Sequence, residues 1–343
     1  MDPQPESGTP SAAASSPKRP RNRGLTVLLR ICVAVALVAV LLLRTDVGQA
    51  FSIIRGAKPL LLLAALLVMA FPLAIGAFRW WLLLRALGLE YPYHFILRVH
   101  VSGYALSTIL PTSMGGDLLR VGYASRRGTV ERALSTVLTD RILGVAGLLV
   151  MSDVASILLW LHTGSPGLLA LAGIATVFVV LVLLALVVKP VYDRFTGLAV
   201  RVRFLRLGER AVRVTDGVRQ YRERPRLMVL SLCLSVLVWL VHSTVWFLLG
   251  VSVASTAPLV RYLVCVPIVA LSTMLPISVG GIGVRENSFV ILMGRFGTPE
   301  STAVAVALLF LAVLAFYALV GALLVITLRR DQSISTSGIK TSL

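Results

Sequence analysis

The feature that most limits what this sequence can fold into is a series of long apolar runs. A helix needs about 20 predominantly apolar residues to cross a hydrocarbon core about 30 Å thick. With 57% hydrophobic and only 14% charged residues, the composition is also unlike that of a soluble domain. We therefore predict an all-α, polytopic membrane helical bundle. The predicted spans lie near 25–43, 59–84, 133–161, 165–188, 227–249 and 301–328.

The sequence outside the apolar runs sets the expected domain boundaries. Residues 1–24 are rich in Ser, Pro and Ala, carry four basic residues and have little apolar surface, which predicts a disordered tail. No small-residue cleavage site follows the first apolar run, so we expect an uncleaved span rather than a signal peptide. A transmembrane domain is predicted over 25–328, followed by a short tail over 329–343.

The basic residues predict the orientation of the chain. The sequence has 33 Lys and Arg against 15 Asp and Glu, and the basic residues concentrate beside the apolar runs, where the positive-inside rule places them in cytoplasmic loops. This distribution argues against nucleic acid as a partner. Both termini are predicted to be cytoplasmic. The basic segments are the first 24 residues, 78–98, 120–132, 189–226 and the residues after 328, whereas 44–58, 250–261 and 285–297 hold only six basic residues together.

One peptide occurs twice in the sequence. Residues 107–120 read STILPTSMGGDLLR and residues 272–285 read STMLPISVGGIGVR, so that eight of fourteen positions match at a constant offset of 165 residues. Both copies are apolar and are interrupted by Pro and Gly-Gly, which break helices. Tight helix packing would explain one such segment. Two copies in register favour a shared functional role.

The predicted orientation places the two copies on opposite faces of the membrane. The first lies within 95–124, between cytoplasmic segments, so it should enter the membrane and return. The second follows the outward-running span 227–249 and should enter from the other side. We therefore predict two inverted repeats, each carrying a re-entrant Pro/Gly-Gly-broken helix pair. Backbone groups freed at the breaks need protein or water around them, so the two copies should meet near the centre.

Charged residues in or beside these peptides mark a candidate binding site. Each costs about 2.5–3.5 kcal/mol at the centre of a membrane helix and needs a partner, a ligand or water. Arg120 and Arg285 end the two motifs at equivalent positions, and a planar guanidinium suits a phosphate. Helix N-termini after the breaks would also attract an anion. The alternative is internal pairing, for instance of Asp140 with Arg120. The adjacent Asp140 and Arg141 should have separate partners.

Two stretches resemble a known family. LPTSMGGDLLR followed by Thr139-Asp140-Arg141, and then LPISVGGIGVRE, are similar to the transmembrane domain of lysylphosphatidylglycerol synthases, a flippase-like module, over about residues 25–328. The resemblance implies a role in moving or handling lipids across the bacterial cytoplasmic membrane. Larger members continue into an aminoacyl-transferase domain, which we do not expect here. The motif positions taken as candidate lipid-binding residues are Pro111, Gly115, Gly116, Asp117, Arg120, Asp140, Arg141, Pro276, Gly280, Gly281, Gly283, Arg285 and Glu286.

Three classes of function fit these observations. The first is a flippase or scramblase for an anionic phospholipid or lipid-linked phosphate. The second is an accessory scaffold that binds lipid or a biosynthetic enzyme without transport. The third is an enzyme acting on a lipid head group, with Asp117, Asp140 and Glu286 as candidate bases. We favour the first and expect no enzymatic activity and no cofactor or metal, because the three Cys and four His lack metal-ligand spacing.

Two further features concern the membrane surface. In the loop 189–226, apolar residues recur every three or four positions between arginines, which predicts a basic amphipathic helix. Such a helix would lie on the anionic leaflet or pack on the end of the bundle. Trp80 and Trp81 follow Arg79 and are predicted to anchor the interface.

Overall fold

A computed structural model of the protein describes residues 23–109, 115–163, 220–274 and 277–340, together with positions 173, 176, 177, 217 and 218. All regular secondary structure in this part of the chain is helical. The longer helices are α1 (Arg23–Arg44), α2 (Val47–Arg55), α3 (Pro59–Val68), α4 (Ala70–Ala86), α5 (Tyr93–Ile109), α6 (Gly115–Ala124), α7 (Val130–Thr163), α8 (Pro225–Ser252), α9 (Leu259–Met274), α10 (Val284–Arg295) and α11 (Glu300–Lys340).

Among the described residues, four helical segments are long and apolar enough to cross a membrane. These confirm four of the six predicted runs, and α1, with its apolar stretch Cys32–Leu41, corresponds to the first. Nearly all of the fourth run, 165–188, and of the predicted amphipathic helix lies outside the described residues. The protein is therefore a polytopic helical membrane protein. The four segments are Pro59–Ala86, Val130–Leu158, Pro225–Ser252 and Glu300–Leu328.

The first of these segments is built from two helices, α3 and α4, that meet at Met69. Pro72 explains the break, because it has no N–H for the carbonyl of Val68 and its ring would clash with that carbonyl. Helix α4 then continues to Ala86, so Arg79 lies inside a helix and is buried, not in the predicted loop. The predicted anchoring role of Trp80 is also wrong. Its ring is fully buried, and its indole nitrogen donates to the hydroxyl of Thr136 over 3.1 Å.

The core of the bundle is an aromatic stack centred on α8. The ring of Trp246 lies 4.3 Å from that of Phe289 in α10 and 4.0 Å from that of Phe310 in α11, measured between centroids. Close helix approach at small residues completes the packing, since a Cβ at Gly321 of α11 would overlap the carbonyl oxygen of Val101 in α5. Helix α5 is therefore held against α11 inside the bundle.

Two helix hairpins carry the duplicated peptide. In the hairpin of α5 and α6, the amide of Gly116 donates to the hydroxyl of Ser107 over 3.2 Å, and a Cβ at Gly116 would overlap the carbonyl oxygen of Gly103. The hairpin of α9 and α10 contains an additional 3-10 turn, Val279–Gly281. The prolines at both breaks, Pro111 and Pro276, lie outside the described residues.

The corresponding Gly-Gly pairs differ in conformation. Gly115 and Gly116 begin α6, whereas Gly280 and Gly281 lie in the turn with φ of +59° and +76°. The cause of this difference is local. It is the residue that lies three positions after the first glycine of each pair. This residue is Gly283 in the second copy, where φ is +83° and α10 starts one residue later. The first copy has Leu118 there, whose side chain disfavours positive φ, so the helix forms earlier.

Candidate functional site

A buried carboxylate, Asp140 of α7, is the centre of the candidate site. One oxygen accepts from Nε of Arg79 at 2.7 Å, and the other accepts from Nη2 of Arg120 at 2.6 Å. All three side chains are at least nine-tenths buried. Two arginines donating to the two oxygens of one carboxylate satisfy its charge and join α4 and α6 to α7. The internal pairing of Asp140 with Arg120, one of the two alternatives left by the sequence, is thus present.

Each of the two arginines is held by a further contact. Nη1 of Arg79 donates to the hydroxyl of Ser235 in α8 over 2.6 Å, which brings a fourth helix to the cluster. The guanidinium of Arg120 lies over the ring of Trp80, 4.2 Å from its centroid. A cation above an aromatic face is stabilised by the negative charge of the π-system. The buried Trp80 therefore positions the first motif arginine.

A second ion pair lies at the more exposed edge of the site. Asp117 accepts from Nε of Arg141, and one oxygen of Asp117 lies 3.6 Å from Nη1 of Arg120. Relative exposure is 19% for the Asp117 side chain and 45% for that of Arg141, against 3% for Asp140. The prediction that Asp140 and Arg141 have separate partners is confirmed.

These charges line a cavity of about 260 Å³. Three arginines and two aspartates contribute to its wall, so its lining carries one excess positive charge. The buried Nε of Arg120 and Nδ1 of His100 have no hydrogen-bond partner in the described part of the chain. Glycines at 103, 116 and 144 and Met274 of the second copy also line the cavity. The cavity is therefore suited to an anion.

The second motif arginine faces a different, smaller cavity. Arg285 lines a space of about 120 Å³ whose other walls are mainly aromatic and aliphatic, including Trp246 and Phe310. Its Nη2 donates to the carbonyl of Gly280 over 2.8 Å, whereas its buried Nη1 makes no hydrogen bond to any residue that the structure describes and lies 3.9 Å from Glu286. Tyr104 and Trp239 line both cavities and separate them.

The N-termini of the two short helices are already occupied by the protein's own side chains. The carboxylate of Glu286 accepts from the amide of Gly283 over 2.6 Å at the start of α10. The amide of Gly116 near the start of α6 donates to Ser107. These amides are therefore not available to a ligand in this conformation, and arginine side chains supply the donors instead.

The two copies of the peptide are in direct contact. A Cβ at Gly280 would overlap the carbonyl oxygen of Thr108, and α5 packs against the turn Val279–Gly281. The expected meeting of the two copies is thus observed at Thr108 and Gly280.

Substitution of Gly280 by Ala is expected to disrupt this contact. The added Cβ clashes with the carbonyl oxygen of Thr108, and the alanine must also adopt a positive φ. We therefore expect a loss of about 2–4 kcal/mol in the free energy of unfolding. Gly297→Ala is the matched control. Gly297 also has a positive φ, +79°, but no atom of the described residues lies within 4 Å of a Cβ added there. Thermal unfolding in detergent should show the larger loss for Gly280→Ala. Equal losses would mean that backbone strain alone is responsible.

The structure brings only some of the predicted residues to one cavity. Gly116, Asp117, Arg120, Asp140 and Arg141 line the larger cavity, and Arg285 lines the smaller one. Gly115, Gly280, Gly281, Gly283 and Glu286 shape the hairpins and line neither. Sequence reasoning missed Arg79, His100, Ser235 and Trp239. For Arg79, the available signal was its position inside the apolar run predicted over 59–84.

Comparisons with known proteins agree with this architecture. The family model described as "Lysylphosphatidylglycerol synthase TM region" matches residues 27–321. A UPF0104 membrane protein of Methanothermobacter thermautotrophicus is 23% identical over 294 residues, which cover 80% of this chain and 87% of that protein. A UPF0104 membrane protein of Pyrococcus horikoshii is 23% identical over 304 residues, which cover 82% and 90%. The resemblance seen in the paired motifs is confirmed: the chain belongs to the family of lysylphosphatidylglycerol synthase transmembrane regions.

Proposed function

We propose that the protein translocates a phosphate-containing lipid or lipid-linked intermediate across the bacterial cytoplasmic membrane, with both termini in the cytoplasm. The observation that carries this proposal is the cavity around Asp140, which is lined by both copies of the peptide and has one more arginine than carboxylates. A positively charged cavity among membrane helices attracts an anionic head group that the hydrocarbon core excludes.

The proposal includes two inverted repeats with re-entrant hairpins. Helices α6 and α10 have 10 and 12 residues, which at about 1.5 Å per residue is roughly half of a hydrocarbon core about 30 Å thick. Neither crosses the membrane alone, so each returns with its partner helix. The contact of Thr108 with Gly280 supports a meeting of the two hairpins between the membrane faces. Alternating exposure of a site between two such repeats is the usual route of transport.

The two motif arginines have different roles in this proposal. Arg120 is engaged by Asp140 and Trp80, so it contributes mainly fixed positive charge. Within the described part of the chain, Arg285 has a buried donor without a hydrogen bond, and the nearest carboxylate, that of Glu286, is 3.9 Å away, which leaves that donor ready to bind a phosphate oxygen. The head group would pass from the larger cavity towards Arg285 along the wall of Tyr104 and Trp239.

The proposal assigns no head-group chemistry to this chain. A general base needs a free lone pair within reach of its substrate. Asp140 accepts from two arginines, Asp117 from Arg141, and Glu286 from the amide of Gly283. Each of these carboxylates is thus held by at least one donor, which makes it a weaker base, whereas Oε1 of Glu286 has no hydrogen-bond partner among the described residues. A scaffold without transport activity and a head-group enzyme are the alternatives, and the following measurement distinguishes both from a transporter.

Reconstitution in proteoliposomes with a fluorescent anionic phospholipid tests the transport proposal. We expect wild-type protein to move the lipid between leaflets, and Arg285→Ala to slow that movement about tenfold or more, as loss of a charge-assisted hydrogen bond predicts. Arg285→Lys should lie between, because it keeps the charge without the planar fork. Arg295→Ala, an exposed arginine on the same helix, is the matched control and should transport normally.

The other outcomes assign the alternatives. Movement unchanged by Arg285→Ala in a stably folded variant would remove Arg285 from the pathway. Absence of movement with lipid retained by the protein would assign the scaffold, and a change in the lipid itself would assign an enzyme.

A further inference from the structure

A third arginine-containing pocket lies at the end of the membrane segment Pro59–Ala86. It has a volume of about 330 Å³. None of its lining residues lines the two cavities described above, so the transport proposal does not account for it. The lining residues are Trp81 and Arg85 of α4, Glu90, Tyr91 and Pro92 of the next loop, and Arg127 of the turn before α7.

The aromatic walls of this pocket are fixed by hydrogen bonds. The indole nitrogen of Trp81 donates to the carbonyl of Tyr91 over 2.8 Å. The hydroxyl of Tyr91 lies 2.9 and 3.1 Å from the carbonyl oxygens of Tyr123 and Ala124, and it accepts from the amide of Arg127 at 3.0 Å. Burial raises the pKa of Tyr91 above its ordinary value of 10.0, so the hydroxyl keeps its proton. The pocket is therefore preformed.

Both arginines of the pocket lie against these walls. The guanidinium of Arg85 is 4.8 Å from the centroid of the Trp81 ring, and that of Arg127 is 4.9 Å from the centroid of Tyr91. Nη1 of Arg127 donates a hydrogen bond to the carbonyl of Glu90 over 2.6 Å. Arg85 makes no hydrogen bond or ion pair within the residues that the structure describes. Stacking holds a guanidinium by its face and leaves its N–H edge for an anion.

The charge and surroundings of the pocket favour a lipid as that anion. Two arginines against one glutamate give the lining an excess positive charge, and both arginines are exposed. Beside the pocket, the exposed ring of Phe78 stacks on Trp81 with 5.6 Å between centroids, which supplies apolar surface for acyl chains. Arginine and tryptophan at the end of a membrane helix lie at the depth of the head groups.

We propose that this pocket binds the phosphate of an anionic phospholipid from the surrounding leaflet, between Arg85 and Arg127. The bound lipid joins α4 to the turn between α6 and α7, the helices that carry Arg79, Arg120 and Asp140. It would stabilise the bundle without entering the transport cavity. The inference is independent of the transport proposal, since a scaffold would bind the same lipid here.

Thermal unfolding of the purified protein in neutral detergent tests this site, with dioctanoyl phosphatidylglycerol as the titrant. We expect a saturable rise in melting temperature, because a ligand that binds only the folded state stabilises it. Arg85→Gln should weaken the apparent affinity roughly tenfold, the effect of one lost charge-assisted contact. Arg85 is exposed and makes no internal hydrogen bond, so the variant should fold normally. Arg127→Gln should act in the same direction.

Arg55→Gln is the matched control for general surface charge. Arg55 is also exposed and lies over an aromatic ring, that of Phe51 at 5.3 Å, but it lines none of the three pockets described here. This variant should respond to the lipid as wild type does. A normal response in Arg85→Gln, or an equal loss in Arg55→Gln, would overturn the proposal.

Four further results would also overturn it, each by assigning a different ligand or site. Dioctanoyl phosphatidylcholine giving the same shift would mean that head-group charge is not recognised. Inorganic phosphate displacing the lipid at equal concentration would identify a free-anion site, and an acidic peptide doing so would identify a protein-binding site. A response lost only in Arg285→Gln would place the lipid in the transport cavity.

Discussion

Asp140→Asn is expected to lower the free energy of unfolding by about 3–5 kcal/mol, because two buried arginines lose the carboxylate that accepts from both. Asparagine has one acceptor oxygen and no charge, so it cannot replace either ion pair. A loss of this size is a large part of the about 5–15 kcal/mol that stabilises a typical protein. Yield of folded protein and melting temperature in detergent should both fall sharply.

Asp117→Asn is the matched control for this experiment. It removes the same charge from the same cavity, but Asp117 and Arg141 are partly exposed, and exposed ion pairs contribute only about 0–1 kcal/mol. Adding Arg79→Gln to Asp140→Asn should restore part of the loss, since one uncompensated arginine then remains instead of two. Similar losses in the two single variants would mean that burial does not determine the strength of the Asp140 cluster.

Gly116→Ala is expected to be strongly destabilising, although alanine is normally favoured over glycine within a helix by about 0.5–1 kcal/mol. The added Cβ would overlap the carbonyl oxygen of Gly103 and the hydroxyl of Ser107, so α5 and α6 must separate. Overpacking of this kind costs about 1–3 kcal/mol and sometimes more, and here the obstacle includes backbone, which has little freedom to move.

Gly122→Ala in the same helix separates packing from helix propensity. No atom of the described residues lies within 4 Å of a Cβ added at Gly122, so this variant should be slightly more stable than wild type. The two alanine substitutions should therefore change the melting temperature in opposite directions. A shift of the same sign in both would show that the α5 and α6 hairpin tolerates a wider spacing.

The helical membrane architecture and the family were predictable from sequence because long apolar runs and paired motifs are local signals. Arg79 shows where this local information ends. Its charge beside an apolar run resembled a cytoplasmic flank, and only the fold places it next to Asp140, 61 residues later in the chain. Hydropathy measures the cost of burying a charge but not the presence of its partner.

The sequence predicted several residues of the candidate site but not how they pair with one another. Arg120 and Arg285 have equivalent positions in the two copies, which suggested equivalent roles. The structure instead pairs Arg120 with Asp140, whereas Arg285 bonds to the backbone of its own hairpin. One repeat position is Leu118 in the first copy and Gly283 in the second. This difference explains part of the asymmetry, because the two backbones diverge there. Side-chain partners from other helices determine the rest.

The order in which the Asp140 cluster is synthesised has a consequence for how the protein is made. Arg79 leaves the ribosome 61 residues before Asp140 and 156 residues before Ser235. An arginine without a counter-charge in a membrane helix costs about 2.5–3.5 kcal/mol, a penalty that the apolar segment Pro59–Ala86 outweighs on insertion but that persists until the partner is made. Arg79 therefore lacks its carboxylate while the first spans are inserted, and the bundle gains the stability of the Asp140 cluster only after α7 has followed α4 into the membrane.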